Sequence, residues 1–146
     1  MEIILHPTVQ TPQPIFVKPV FFENTKTLFL GNQEACIPNT YDHIFSIIDP
    51  DTTFTAIQQS HHCFRIYDHS SANIQSLIDT FIKTIQPLEG TILVHCGEGI
   101  SRSPSCILGY MIRTHQQSFE EAFSHVKTIV PHIKPNRGFL QYLKQL

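Results

Sequence analysis

The sequence predicts an α/β domain, a central sheet layered with helices. Three observations predict it. The run Thr91-Ile92-Leu93-Val94-His95 is nearly all apolar, as suits a central strand buried on both faces. Strand-like runs and helix-like runs alternate up to that point, and consecutive amphipathic helices follow it. The 146 residues, 41% hydrophobic and 15% charged, suffice to bury one real core, so residues 1–146 read as a single domain.

The elements follow in chain order. Short strands are expected at 2–5, 27–30, 43–48, 62–66 and 91–95. Pro7, Pro12, Pro14 and Pro19 make residues 6–19 an extended arm, because each Pro removes a donor and disfavours helix in the residue before it. From Asn73, the residues Ile74, Leu77, Ile78, Phe81, Ile82 and Ile85 keep helical spacing until Pro87 ends it. Residues 103–115 are apolar on several sides (Ile107, Leu108, Met111, Ile112), which marks a buried central helix. Ser118-x-x-Glu121 is a capping box; it opens a helix with Phe119, Ala122, Phe123, Val126 and Ile129 on one face, stopped by Pro131. Asn136 caps a last helix whose stripe is Phe139, Leu140, Leu143 and Leu146.

Composition narrows the function classes. A formal charge of −2 leaves no polyanion-binding footprint, which argues against nucleic-acid and membrane-surface partners. No run of ~18 apolar residues occurs, and Glu2 and Pro7 interrupt any leader-like start. Four Cys at 36, 63, 96 and 106 form neither a disulfide frame nor a zinc pattern, so a reducing compartment, cytoplasm or nucleus, is expected. The nine His are scattered, with His61-His62 read as a loop pair, so no metal and no cofactor is expected. Oligomeric state leaves no mark on the sequence.

The chemistry is concentrated in His95-Cys96-Gly97-Glu98-Gly99-Ile100-Ser101-Arg102-Ser103. A strand entering a tight loop and then a helix directs backbone N–H groups, and the positive end of the helix dipole, at one point. Gly97 and Gly99 are read as permitting positive φ in a nest of amides from Gly97 through Glu98, Gly99, Ile100 and Ser101 to Arg102. Arg102 adds a planar fork that meets two phosphoryl oxygens at once. Cations and helix N-termini lower a cysteine pKa from ~8.5 to roughly 3.5–7.5, so Cys96 is expected as a thiolate nucleophile. Ser103 can donate its hydroxyl to the sulfur, and Ser103-Pro104 suits a helix start. The Glu98 side chain is expected to point outward, since a carboxylate would repel the anion. With four Cys and four Arg in 146 residues, the six-residue spacing arises by chance about 0.1 times. Spacing alone is therefore weak, and the strand, the glycines and the helix around it carry the inference.

At these residues the chain resembles the cysteine-dependent protein phosphatases, in the form of the dual-specificity (VH1-like) branch. Leu28-Phe29-Leu30-Gly31 is similar to that family's early strand end. Tyr67-Asp68-His69 with Asn73-Ile74 is similar to its acid loop, and Pro135-Asn136-Arg137-Gly138-Phe139-Leu140 to the run before its last helix. The likeness covers residues 26–146; residues 1–25 read as an N-terminal extension. It implies a single mixed sheet flanked by helices, protein tyrosine phosphatase-like. It also implies hydrolysis of phosphotyrosine and phosphoserine/phosphothreonine in proteins through a phosphocysteine. Cys96 would attack, Arg102 and the loop amides would hold the phosphoryl oxygens, Ser103 would assist the sulfur, and Asp68 would be general acid and base.

Other readings stay open. The same chemistry could serve RNA 5′ ends or phosphoinositides, but the loop positions 97–101 hold no cation. A phosphate-binding module without turnover is a second alternative, and no lesion in Cys96, Arg102 or Asp68 supports it. Relatives that favour doubly phosphorylated substrates carry an Arg before the final run. Here Thr128 to Lys134 has none, leaving only His132 and Lys134. Cys63 is read first as a buried small hydrophobe, and second as a thiol that could trap oxidised Cys96.

Overall fold

The computed structural model describes residues 13–146. The strand expected at 2–5 lies outside them. Five strands form one mixed sheet: β1 (Val17–Phe22), β2 (Lys26–Gly31), β3 (His43–Ile48), β4 (His61–Arg65) and β5 (Gly90–His95), in the order β1-β2-β5-β3-β4. Only β1 runs antiparallel to its neighbour, and β2, β5, β3 and β4 are mutually parallel. The apolar run 91–95 occupies the centre of the sheet, with Ile92, Leu93 and Val94 fully buried. Strand β1 goes beyond the extended arm expected at 6–19. Its inner residue is Val20, fully buried, while Lys18 and Pro19 face out, so no apolar run announces it.

The helices are α1 (Ile74–Ile85), α2 (Arg102–His115), α3 (Phe119–Ile129) and α4 (Arg137–Lys144). They share one core with Leu28, Leu30, Phe45, Ile47, Ile92 and Val94 on one face of the sheet. A smaller cluster on the other face, Ala35, Ile44 and Leu93, is covered by loop residues such as Tyr41 and Ile57. Ten consecutive residues of α2, Ser103 to Ile112, are buried, as its all-round apolar character predicts. In α4 the stripe is shorter than expected. Phe139 and Leu143 are buried, but Leu146 lies past the helix end at 40% exposure.

Lys26 is an element of this core that hydropathy could not reveal. Its ammonium, 5% exposed, donates to the Ile85 and Gln86 carbonyls, both at 2.9 Å, at the C-terminal end of α1. It thus joins the start of β2 to carbonyls that an α-helix leaves unpaired. Lys26→Met keeps the stem and removes the donor. It is expected to lower stability by about 2 kcal/mol, the range for a buried charged hydrogen bond, read as a fall in the urea midpoint at unchanged m-value. An unchanged midpoint would show the ammonium to be dispensable.

Candidate active site

The loop of residues 96–102 leaves the carboxyl end of β5, where open parallel sheets place their ligand sites. Its backbone is turned by bonds made on its outer side. The Cys96 carbonyl faces His95 Nδ1 at 3.2 Å, the Gly97 carbonyl accepts from the Gln33 amide at 2.9 Å, and the Ile100 carbonyl accepts from the Lys134 amide at 2.7 Å. Carbonyl and N–H point oppositely across a trans peptide. Holding those three carbonyls outward therefore directs the amides of Gly97, Glu98 and Ser101 inward, toward one centre.

The start of α2 completes the cradle. Asn73, Ser118 and Asn136 cap α1, α3 and α4 with their side chains, but Ser101, at the same position of α2, makes no cap bond. The first-turn amides of α2 stay free for an anion. Ser101 spends its hydroxyl elsewhere, donating to Asp68 Oδ1 at 2.7 Å while accepting from the Asn136 amide at 2.9 Å. Of the two loop glycines, only Gly99 uses its freedom, with φ of +73° and no room for a Cβ, which would lie 2.9 Å from the Gly31 carbonyl oxygen. Gly97 does not have positive φ, contrary to the expectation from sequence. A Cβ there would meet only Arg102 Nη2, at 3.7 Å. Glu98 is exposed, as anticipated.

Cys96 sits at the floor, 3% exposed, with its sulfur 3.2 Å from the Ser103 hydroxyl. Arg102 Nη1 donates to Asp49 Oδ1 at 2.6 Å and to the Ile66 carbonyl at 3.2 Å. Those bonds fix the guanidinium by one corner and leave Nη2, beside Gly97, turned to the loop. Asp49 opens the turn after β3, where its carbonyl accepts from the Thr52 amide, and no local pattern marks it as the partner of Arg102. Its position at the carboxyl end of β3, beside the end of β5, is the signal that could have found it.

Asp68 stands on the loop between β4 and α1. Oδ1 accepts from Ser101 and from Asn136 Nδ2 at 2.9 Å. Asn136 serves twice, because its Oδ1 also caps α4 through the Phe139 amide at 3.0 Å. A cleft of about 580 Å³ joins Asp68 to Arg102, with Tyr67, His69 and Ala72 along its wall. The run Pro135 to Leu140 is thus tied directly to the loop that carries Asp68. At Gly138 a Cβ would run into the Ser70 carbonyl, so α4 can approach residues 69–71 only with glycine there. Gly138→Ala is expected to displace the loop that carries Asp68 and, with Asp68 as the expected proton donor, to cut turnover of alkyl phosphates about tenfold, with less loss on aryl phosphates. Equal losses on both, measured side by side, would mean that the loop had not moved relative to the cleft.

Cys63 lies on β4, at the edge of the sheet, within the strand expected at 62–66. His61 lies on the same strand, so His61-His62 is a strand pair and no loop pair. With β3 between β4 and β5, Cys63 is two strand spacings, ~10 Å, from β5, the strand that leads into Cys96. That exceeds the Cα separation a disulfide bridges, so β4 would have to move for the two to pair. Cys106, fully buried on α2, has a thiol pushed upward by burial and by the nearby Cys96.

Comparison with known proteins decides the family. The model of the dual specificity phosphatase catalytic domain matches residues 28–146. The chain belongs to the dual-specificity phosphatase family. Human protein phosphatase Slingshot homolog 3 is 30% identical over 126 residues, covering 80% of this chain and 19% of its own length. Human dual specificity protein phosphatase 5 is 40% identical over 75 residues, covering 51% of this chain and 19% of its own. The chain therefore spans about a fifth of those curated relatives. The crystal structure of human DUSP28 superposes with a TM-score of 0.74 at 21% identity, over 92% of this chain and 93% of that one. The dual-specificity phosphatase fold, with its single mixed sheet, is the architecture described above.

Proposed function

We propose that this chain is a protein phosphatase that hydrolyses phosphotyrosine and phosphoserine/phosphothreonine through a phosphocysteine intermediate. One observation carries the reading: the Cys96 sulfur lies at the base of inward-turned amides, with Arg102 and Asp68 on one cleft above it. The Cys96 thiolate attacks phosphorus as the ester oxygen leaves. Gly97 to Arg102 amides and Arg102 Nη2 meet the equatorial oxygens, where charge spreads in the transition state. Both bonds to Asp68 fall on Oδ1, so Oδ2 is the oxygen that delivers the proton to the leaving group. In the second half, Asp68 takes a proton from water as water attacks the phosphocysteine. Ser103 then donates its hydroxyl to the departing sulfur, 3.2 Å away.

A phosphoprotein is the favoured substrate, because Gly97, Glu98, Gly99, Ile100 and Ser101 offer no cation for the extra phosphates of a lipid headgroup or an RNA end. Nucleophilic thiolate chemistry fits a reducing cytoplasmic or nuclear setting. The test is a panel of phosphotyrosine, phosphothreonine and doubly phosphorylated peptides with one phosphoinositide, under reducing conditions. Peptide turnover is expected to exceed phosphoinositide turnover. The reverse order would assign a lipid substrate, and an intact panel would leave a phosphate-binding module.

A further inference from the structure

Behind the catalytic loop, on the face of the sheet away from the long helices, four hydrogen bonds link five polar groups into a chain. The Ile57 amide donates to His61 Nδ1 at 3.1 Å. His61 Nε2 lies 2.8 Å from Ser46 Oγ, and Ser46 Oγ lies 2.6 Å from His95 Nε2. His95 Nδ1 lies 3.2 Å from the Cys96 carbonyl. The strands set this spacing, for Ser46 on β3 pairs in register with both His95 on β5 and Cys63 on β4, and His61 is two residues before Cys63 on the same face.

The proton positions follow from the one donor that cannot change. A backbone N–H only donates, so His61 Nδ1 accepts and, in the neutral ring, Nε2 carries the proton. Ser46 accepts that proton and gives its own to His95 Nε2. His95 Nδ1 is then left protonated, directed at the Cys96 carbonyl. Neutral rings are what burial favours here: it holds His61 below the usual histidine range, with His62 adding to the effect, and brings His95 down to about 4. The Cys36 thiol, raised by burial, meets the same Ser46 hydroxyl, and the Phe54 ring stands edge-on to His61 at 4.9 Å. The Cys36 sulfur and one ring nitrogen each of His61 and His95 lie within 4.8 Å of one another, a spacing that a divalent cation could bridge. The proton on His61 Nε2 argues against that use, because it removes the lone pair a metal requires.

We propose that His61 and Ser46 are positioning residues for the catalytic loop: through His95 they lock the peptide between Cys96 and Gly97 so that the Gly97 amide faces the phosphoryl group. That role rests on the hydrolytic reading above. Breaking the chain at Ser46 frees His95 to take the other tautomer, which turns a lone pair toward the Cys96 carbonyl and releases the peptide.

The test compares Ser46→Ala, His61→Leu, His61→Gln and the Ser46→Ala/His61→Leu double variant for kcat, KM, melting temperature and the rate of Cys96 alkylation by iodoacetamide. Ser46→Ala and His61→Leu are expected to lose roughly tenfold in kcat with KM within about twofold, since the amide acts on the transition state. Alkylation should slow in parallel. His61→Gln, which keeps a donor at the same reach, should recover most of the rate, and the double variant should lose no more than either single one. Wild-type kcat in a folded His61→Leu protein, or additive losses, would overturn the proposal. Should His61→Leu fail to fold, ¹⁵N NMR of the wild-type histidine rings decides: protonated Nδ1 on His95 supports the chain, and protonated Nε2 overturns it. Absence of turnover in the wild-type protein would instead refute the hydrolytic reading, and the NMR result would still stand for the chain.

Discussion

Cys96→Ser is expected to abolish turnover, with kcat reduced by roughly 10⁴- to 10⁶-fold, as when a nucleophile acting as part of a unit is removed. Phosphopeptide binding should stay within a few-fold of wild type. The difference follows from where each function resides. Binding belongs to the amides of Gly97 to Arg102 and to the Arg102 guanidinium, whose orientation is set by Gln33, Lys134, His95 and Asp49 and not by the sulfur. Attack belongs to the sulfur alone. A serine hydroxyl would need a base, and the nearest histidine is engaged elsewhere, since the His95 nitrogens serve the Cys96 carbonyl and Ser46. The comparison is made by single-turnover kinetics and calorimetry on one phosphotyrosine peptide. Turnover of the serine variant near the wild-type rate would remove Cys96 as nucleophile.

Asp68→Asn should divide substrates by leaving group. Alkyl phosphates such as phosphothreonine release a strongly basic oxygen and need its protonation; their rate should fall by about 10²- to 10⁴-fold, the range of general acid catalysis. Aryl phosphates with acidic phenols should fall less than about tenfold. Asparagine keeps an oxygen for Ser101, so the loop that Ser101 and Asn136 hold together is retained and the lost proton is isolated. Equal losses across para-nitrophenyl phosphate and phosphothreonine peptides would point to a structural role for Asp68. Asp49 is then the carboxylate to examine, since it lines the same cleft.

The two residues differ in how well the sequence revealed them. Cys96 lies within a dense local pattern of strand, glycines, arginine and helix, and every part of it falls within residues 91–115. Asp68 was identified by likeness to a family loop, because a lone aspartate between a strand and a helix carries no local signal. What makes it distinctive is a contact with Asn136, 68 residues away. The same holds for Lys26, whose partners lie 59 and 60 residues along the chain. It holds again for Asp49, whose pairing with Arg102 spans 53 residues. β1 was missed because it is an edge strand with one fully buried side chain and two prolines near or within it, so neither alternation nor apolar run marks it.

By itself the sequence marked Cys96 and Arg102 as parts of one strand–loop–helix turn, and it located β2 to β5 and the four helices. These depend on short-range physics: side-chain period, capping, and the amides that a strand–loop–helix turn must present. The tertiary structure alone decided which way the loop peptides face, which oxygen of Asp68 is free, and that His61 belongs behind the catalytic loop instead of in a loop of its own. Each of these rests on hydrogen bonds between residues distant in the chain: Gln33 and Lys134 on the loop carbonyls, Asn136 on Asp68, and Ser46 between His61 and His95. Their direction depends on donors, such as the Ile57 amide, whose partners no local pattern specifies.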